Sequence, residues 1–373
     1  MNTDATPPIQ ARTWPLPAWS LALPLLALTA LALAWGRELP AWAVALVAAG
    51  LIAAVLAAVH HAEVVAHRLG EPIGTLVLAI AVTVIEVGLI VVLMLAGGAE
   101  TRALARDTVF AAVMIVCNGV LGLCVLVGGL RHGVVAFRVE GTSPALAVLA
   151  ALCTLTLVLP AVTTSSPGPT FSGPQLAFAA VVSLVLYGVF VFVQTVRHRD
   201  YFLPLSGAEG SDDEDSHAAP PTARAAWLAM AMLVLCLVAV VGLAKQLAPT
   251  IEAGVQAAGA PHAVVGVIVA MLVLLPETWA AVRAARRNRL QTSLNLALGS
   301  ALASIGLTIP AVAAVSPLFD HPLVLGLGPT ELVLLVLTFL VATLTLGSGR
   351  ATVLQGALHL VLFVVYLFLA VVP

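Results

Sequence analysis

Runs of about 20 apolar residues, the length a helix needs to cross roughly 30 Å of hydrocarbon, recur along this 373-residue chain from Leu16 to near its C-terminus. Backbone amides find no water inside a bilayer, so such a chain must fold as helices or as a closed barrel. A barrel needs short strands of alternating polarity, and the runs here do not alternate. With 61% hydrophobic and 9% charged residues, a water-soluble fold is excluded. We expect an all-α polytopic membrane protein with about eleven transmembrane helices. They fall near 16–35, 41–63, 72–97, 108–130, 143–163, 173–196, 225–247, 262–283, 290–315, 322–346 and 351–372. The first run follows a proline-rich, weakly charged tail and lacks a small-residue cleavage site, so it reads as a retained span rather than a signal peptide.

One long hydrophilic segment interrupts the pattern, from Arg197 to Arg224, with the acidic run Glu209–Asp215 at its centre. It separates one extra span plus five from a second group of five. An odd number of crossings reverses the second copy, which is the arithmetic of inverted repeats. The expected organisation is a tail and extra helix over 1–40, a first five-helix repeat over 41–196, an acidic linker over 197–224 and a second repeat over 225–373. Of the 16 basic residues, Arg37, Arg102, Arg106 and Lys245 fall on the side opposite the N-terminus and the other twelve on its own side. That bias places the N-terminus in the cytoplasm and the C-terminus outside, in a multi-pass protein of the cell inner membrane.

Two carboxylates lie inside this apolar frame: Glu86 in the run from Pro72 to Gly97, and Glu277 in the run from Ala263 to Val282. A charge at the bilayer centre costs about 2.5–3.5 kcal/mol on insertion scales and normally faces a polar cavity. Each follows a glycine by about a dozen residues, Gly74 and Gly266, in the second span of its five. The third span of each five carries polar residues as well: Asn118 in one, and Ser300, Ser304 and Thr308 in the other. A hard cation such as calcium takes six to eight oxygens. Glu86 and Glu277 would neutralise it, with Asn118, Ser300, Ser304, Thr83 and backbone carbonyls completing the shell. Pro276, directly before Glu277, frees one such carbonyl a turn earlier. Two carboxylates crowded in a low-dielectric pocket also favour protons as competitors, so cation–proton exchange follows from one shared site. The bland alternative is that these polar groups link helices.

At these residues the chain resembles a known family. The stretch Gly70, Glu71, Pro72, Gly74, Thr75 through Thr83, Ile85 and Glu86 is similar to the first alpha repeat of the calcium:cation antiporter superfamily, most closely its bacterial ChaA-type calcium/proton antiporters. Leu275, Pro276, Glu277, then Ala281, Asn288, Gln291, Ser293, Asn295, Gly299, Ser300, Gly306, Thr308 and Pro310, resembles the second. The resemblance implies an inverted-repeat fold with alternating access. It also implies that Glu86 and Glu277 bind cation and proton, with Asn118 and Ser300 as neighbours. The cargo it implies is calcium, with sodium or potassium also exchanged, against protons.

His60, Glu63 and His67 share one helical face near the cytoplasmic end of the second span, as a proton or cation antenna or as a solvated interfacial cluster. Arg283, Arg286, Arg287 and Arg289 end the eighth span, where contact with anionic lipid is expected. His359 and Glu331 have no partners that the sequence identifies. Cys117, Cys124, Cys153 and Cys236 all fall in spans and read as small apolar residues, without disulfide or metal roles. The net charge of −2 points to no partner, and no basic nucleic-acid patch appears. The expected partners are inorganic cations, protons and the bilayer, with no cofactor; monomer and homo-oligomer stay open. A passive cation channel lined by the same glutamates is the alternative function. An intramembrane hydrolase would need a Gly-x-Ser-x-Gly or His-Glu-x-x-His pattern, and neither occurs.

Overall fold

The computed structural model describes residues 16–37, 39–70, 73–203, 221–319 and 321–373. Its apolar helices are α1 (Ala18–Ala34), α2 (Ala41–Leu69), α3 (Ile73–Gly97), α4 (Leu104–His132), α5 (Val139–Val162) and α6 (Gly173–Arg197), then α7 (Ala223–Ala257), α8 (Ala263–Arg286), α9 (Leu290–Val315), α10 (Pro329–Leu346) and α11 (Val353–Val371). Among the described residues 10 helices are long and apolar enough to cross a membrane, and α1, with 17 residues, is the shorter eleventh. Glu71 and the acidic run Glu209–Asp215 lie outside the described residues.

The tenth span begins later than its apolar run predicts. Residues 322–328 are as apolar as a helix start, yet they form an irregular segment, buried over 323–327. Its backbone is satisfied from other elements: Leu325 and Gly326 donate to the Pro169 carbonyl, Leu327 donates to Leu157, and the Arg106 guanidinium donates to the Gly326 carbonyl at 3.1 Å. Hydropathy reports that a segment is buried, not that its amides bond locally. Pro329, which has no N–H to lose at a first helical position, then opens α10.

The longest seam in the bundle runs between α2 and α7, and α1 packs against both. α3 packs on α2, α7 and α9, while α8 lies against α4 and α9. α4 and α9 are the most enclosed spans, whereas α6 and α11 present most of their surface outward. The polar residues of the third spans thus sit on the two most enclosed helices. A short antiparallel pairing of β1 (Val135–Ala136) with β2 (Arg350–Ala351) ties the turn after α4 to the turn before α11.

α1 is fixed by specific chemistry at both ends. Pro24 has no N–H, so the Ser20 carbonyl lacks its partner one turn on. His61 of α2 fills the vacancy, its Nε2–H donating to Ser20 O at 2.8 Å, while the Trp19 ring packs on His60 with centroids 4.9 Å apart. At the other end Gln246 of α7 donates to the Ala34 carbonyl at 2.7 Å, and the Lys245 ammonium lies 5.5 Å from the Trp35 ring centre.

α4 and α11 approach closely because glycines face each other's helix. A Cβ on Gly122 would stand 2.9 Å from His359 Cβ, and one on Gly356 would stand 2.5 Å from the Leu126 nitrogen. Gly122→Val is expected to destabilise the bundle by about 1–3 kcal/mol through overpacking, read as a lower melting temperature in detergent. An unchanged melting temperature would mean the two helices part at no cost.

Candidate functional site

Glu86 projects from α3 and is 2% exposed, set among Ile85, Leu89 and Ile90. An ionised carboxylate this deep must be hydrogen-bonded. Ser304 of α9 supplies that contact: its hydroxyl lies 2.7 Å from Oε1 and 3.0 Å from Oε2, a charge-assisted bond shared between both oxygens. Thr308, one turn along α9, turns a fully buried hydroxyl toward the same carboxylate without reaching hydrogen-bond geometry. Ser300, one turn in the other direction, is half-buried, so 300, 304 and 308 form a hydroxyl row on one helix face.

Glu277 is placed differently. It is half-buried on α8, and its Oε2 is enclosed with no hydrogen-bond partner among the described residues. Pro276 leaves the Leu272 carbonyl without its donor one turn earlier, and Pro310 does the same for Gly306 in α9. Neither glutamate is paired with Lys or Arg among the described residues. A cleft of ≈ 1150 Å³ lies beside α8, its lining including His60, Glu63, Pro276, Thr278, Arg283 and Arg287 among mostly apolar residues.

The other expected site residues have defined places. Thr83 donates to the Ala79 carbonyl at 2.8 Å, the usual back-bond of a helical threonine. Asn118 is fully buried in a π-helical segment of α4, Ile115–Val120, a distortion found often at functional sites. Its amide donates to Thr338 Oγ1 of α10 at 2.8 Å, and its Oδ1 lies 3.3 Å from His359 Nδ1 of α11. The structure therefore brings Glu86 and Ser304 into direct contact and turns Asn118 toward α10 and α11. Sequence reasoning did not include Thr308 or Glu63 in the site. The spacing of four from Ser304 is the available signal for Thr308, and the helical face shared by His60, Glu63 and His67 is the one for Glu63.

The His60, Glu63 and His67 face is not uniformly solvated. Glu63 and His67 are exposed, but Trp19 covers His60, whose Nε2 is enclosed without a hydrogen-bond partner. The extra helix, which sequence periodicity cannot dock, accounts for the difference.

Among the described residues, no three His, Cys, Asp or Glu side chains converge as a metal cluster. Glu86, bonded to the hydroxyl row of α9, and Glu277, with an unpaired oxygen on the adjoining α8, offer sparse hard oxygens. Such a set suits a transient cation and exchangeable protons.

A helical bundle with two carboxylates in its apolar helices, neither paired with Lys or Arg among the described residues, fits an ion transporter, and the comparisons agree. The sodium/calcium exchanger protein family matches residues 39–196 and 228–372, and this chain belongs to that family. It is a multi-pass secondary cation antiporter of the calcium:cation antiporter superfamily, a transporter rather than an enzyme, whose ions are cargo and not cofactors. The chain is 51% identical over 372 residues to the putative ionic transporter y4hA of Sinorhizobium fredii, covering 98% of this chain and 99% of that one. It is 37% identical over 352 residues to the sodium-potassium/proton antiporter ChaA of Escherichia coli, covering 93% and 94%. Native YfkE superposes with a TM-score of 0.69 at 20% identity, covering 95% of this chain and 99% of that one. The H+/Ca2+ exchanger CAX gives 0.68 at 17%, covering 94% and 86%. At these identities the two structures establish the shared fold.

Proposed function

We propose that the protein exports a hard cation, Ca2+ foremost and Na+ or K+ as further cargo, in exchange for protons by alternating access. Glu86 and Glu277 bind cation or protons in competition. Ser304, Ser300, Asn118 and Thr83 supply or position further oxygens. The observation that carries this reading is the Ser304 hydroxyl on both oxygens of a fully enclosed Glu86, on a helix adjoining the one that holds the unpaired Glu277 oxygen. A buried carboxylate without a basic partner is stable when a proton or a cation occupies it, and exchange of the two is the cycle. Protons as counter-ion are supported by the names of two relatives, ChaA above and a Ca2+/H+ antiporter of Aphanothece halophytica at 26% identity. The organisation that goes with this reading is a pair of inverted repeats over 41–196 and 225–373 in the inner membrane, joined by the linker 197–224, with the N-terminus cytoplasmic.

Inverted vesicles from cells lacking their own antiporters, acidified inside, test it. Adding calcium, sodium or potassium separately should dissipate the pH gradient for the cargo ion and not in Glu277→Gln vesicles. Labelled calcium that equilibrates with no effect on the gradient would replace antiport by a passive channel.

A further inference from the structure

Away from the carboxylates, a deeply enclosed polar cluster among the described residues joins α4, α10 and α11. Asn118 and His359 are 0% exposed, Thr338 is 1% and Thr345 is 3%. The bonds form a chain: Asn118 Nδ2 to Thr338 Oγ1 at 2.8 Å, Asn118 Oδ1 to His359 Nδ1 at 3.3 Å, and His359 Nε2 to Thr345 Oγ1 at 3.1 Å. An amide oxygen only accepts, so His359 Nδ1–H donates to Asn118, which leaves Nε2 to accept from the Thr345 hydroxyl. Both faces of the Asn118 amide are thereby assigned, its NH2 to Thr338 and its oxygen to His359.

Such a cluster is costly to bury and unnecessary for packing two helices that already meet through glycines. The same Gly122 that lets α11 approach brings His359 Cβ against α4 one turn past Asn118, just beyond the π-helical segment. That segment also packs on α8 and α9, the helices of Glu277 and Ser304. Asn118 therefore stands at the boundary between the carboxylate region and the His359 cluster. Turning its amide over would bring the NH2 to His359 and the oxygen to Thr338, moving the one atom of that side chain able to ligate a cation.

We propose that His359 is a positioning residue for cation binding: by holding the Asn118 oxygen it fixes the orientation of that amide, and through it the affinity of the carboxylate site for its cargo. The inference rests on the antiport reading above, in which Asn118 belongs to the binding shell. His359 itself touches no ion.

The test measures apparent KM and maximal rate for calcium, sodium and potassium in inverted vesicles. His359→Phe, which keeps the ring and removes both bonds, should raise KM for the cargo ion roughly 10-fold, the effect of one lost buried hydrogen bond, with the maximal rate within about twofold. His359→Asn sets an amide donor where Nδ1 stood and should return KM to within about twofold of the native value. Asn118→Ala should raise KM as much as His359→Phe, and the double variant no further, because the two side chains act as a unit. An unchanged KM in His359→Phe, a fall in rate alone, additive effects with Asn118→Ala, or no rescue by His359→Asn would each overturn the proposal. If His359→Phe does not reach the membrane, Thr345→Val, which strips the Nε2 partner, must raise KM in the same direction, and an unchanged value refutes the inference. Glu277→Gln in the same vesicles separates the two readings. Loss of exchange there with silent His359 variants removes only this inference, whereas retained exchange removes the antiport site itself.

Discussion

Glu86→Gln and Glu277→Gln should each abolish cation–proton exchange, by at least 100-fold, while the protein still reaches the membrane at normal levels. Glutamine keeps the volume and the polarity of the side chain but removes the negative charge and the capacity to exchange a proton. At Glu86 the Ser304 hydroxyl can still donate to the amide oxygen, so packing survives and transport does not. At Glu277 the enclosed Oε2 has no partner to lose, so the substitution costs the fold little. A buried charge with no basic neighbour opposes folding, and both variants should therefore melt at or above the native temperature. Loss of transport together with that gain separates a functional carboxylate from a structural one. Full exchange in either variant would dismantle the two-carboxylate site.

Ser304→Ala carries the second large effect. The hydroxyl is the one hydrogen-bond donor assigned to Glu86 among the described residues, and bonds to a charged group contribute about 1.5–3 kcal/mol. Losing it favours the uncharged form of Glu86, since only the carboxylate draws the full benefit of that donor. Protons should then compete better, and the apparent KM for the cargo ion at neutral pH should rise roughly 10–100-fold. Alkaline buffer, which strips the competing proton, should recover much of the loss. Ser304→Thr retains the hydroxyl and should stay close to native. A KM deficit that is the same at every pH would show that Ser304 acts on the cation alone, not on proton competition.

The readable part of this protein is what lipid makes expensive. Eleven apolar runs had to be helices because hydrocarbon offers the backbone no other partner, and the polar residues interrupting them had to be near one another or near water. Glu86, Glu277 and Ser304 stand out for that reason, and Ser304 does donate to Glu86. The limits have equally physical causes. Residues 322–328 look like a helix start because they are mostly buried and apolar, but their amides bond to Pro169 and Leu157, far away in sequence. Asn118 reads as a polar residue in a span; only the packing of α10 and α11 assigns its amide to Thr338 and His359. The docking of α1, which buries His60 and His61, depends on a carbonyl that Pro24 leaves open, a feature of shape rather than of hydropathy.

That docking also sets the mechanics of the molecule. α1 is bolted to α2 through Ser20 and Trp19 and to α7 through Ala34 and Trp35, so it acts as a splint across the longest seam of the bundle. Sliding α2 past α7 would have to break fastenings at opposite ends of one short rod. The three helices consequently share their degrees of freedom, and any rearrangement of the bundle carries them as one rigid slab against the rest.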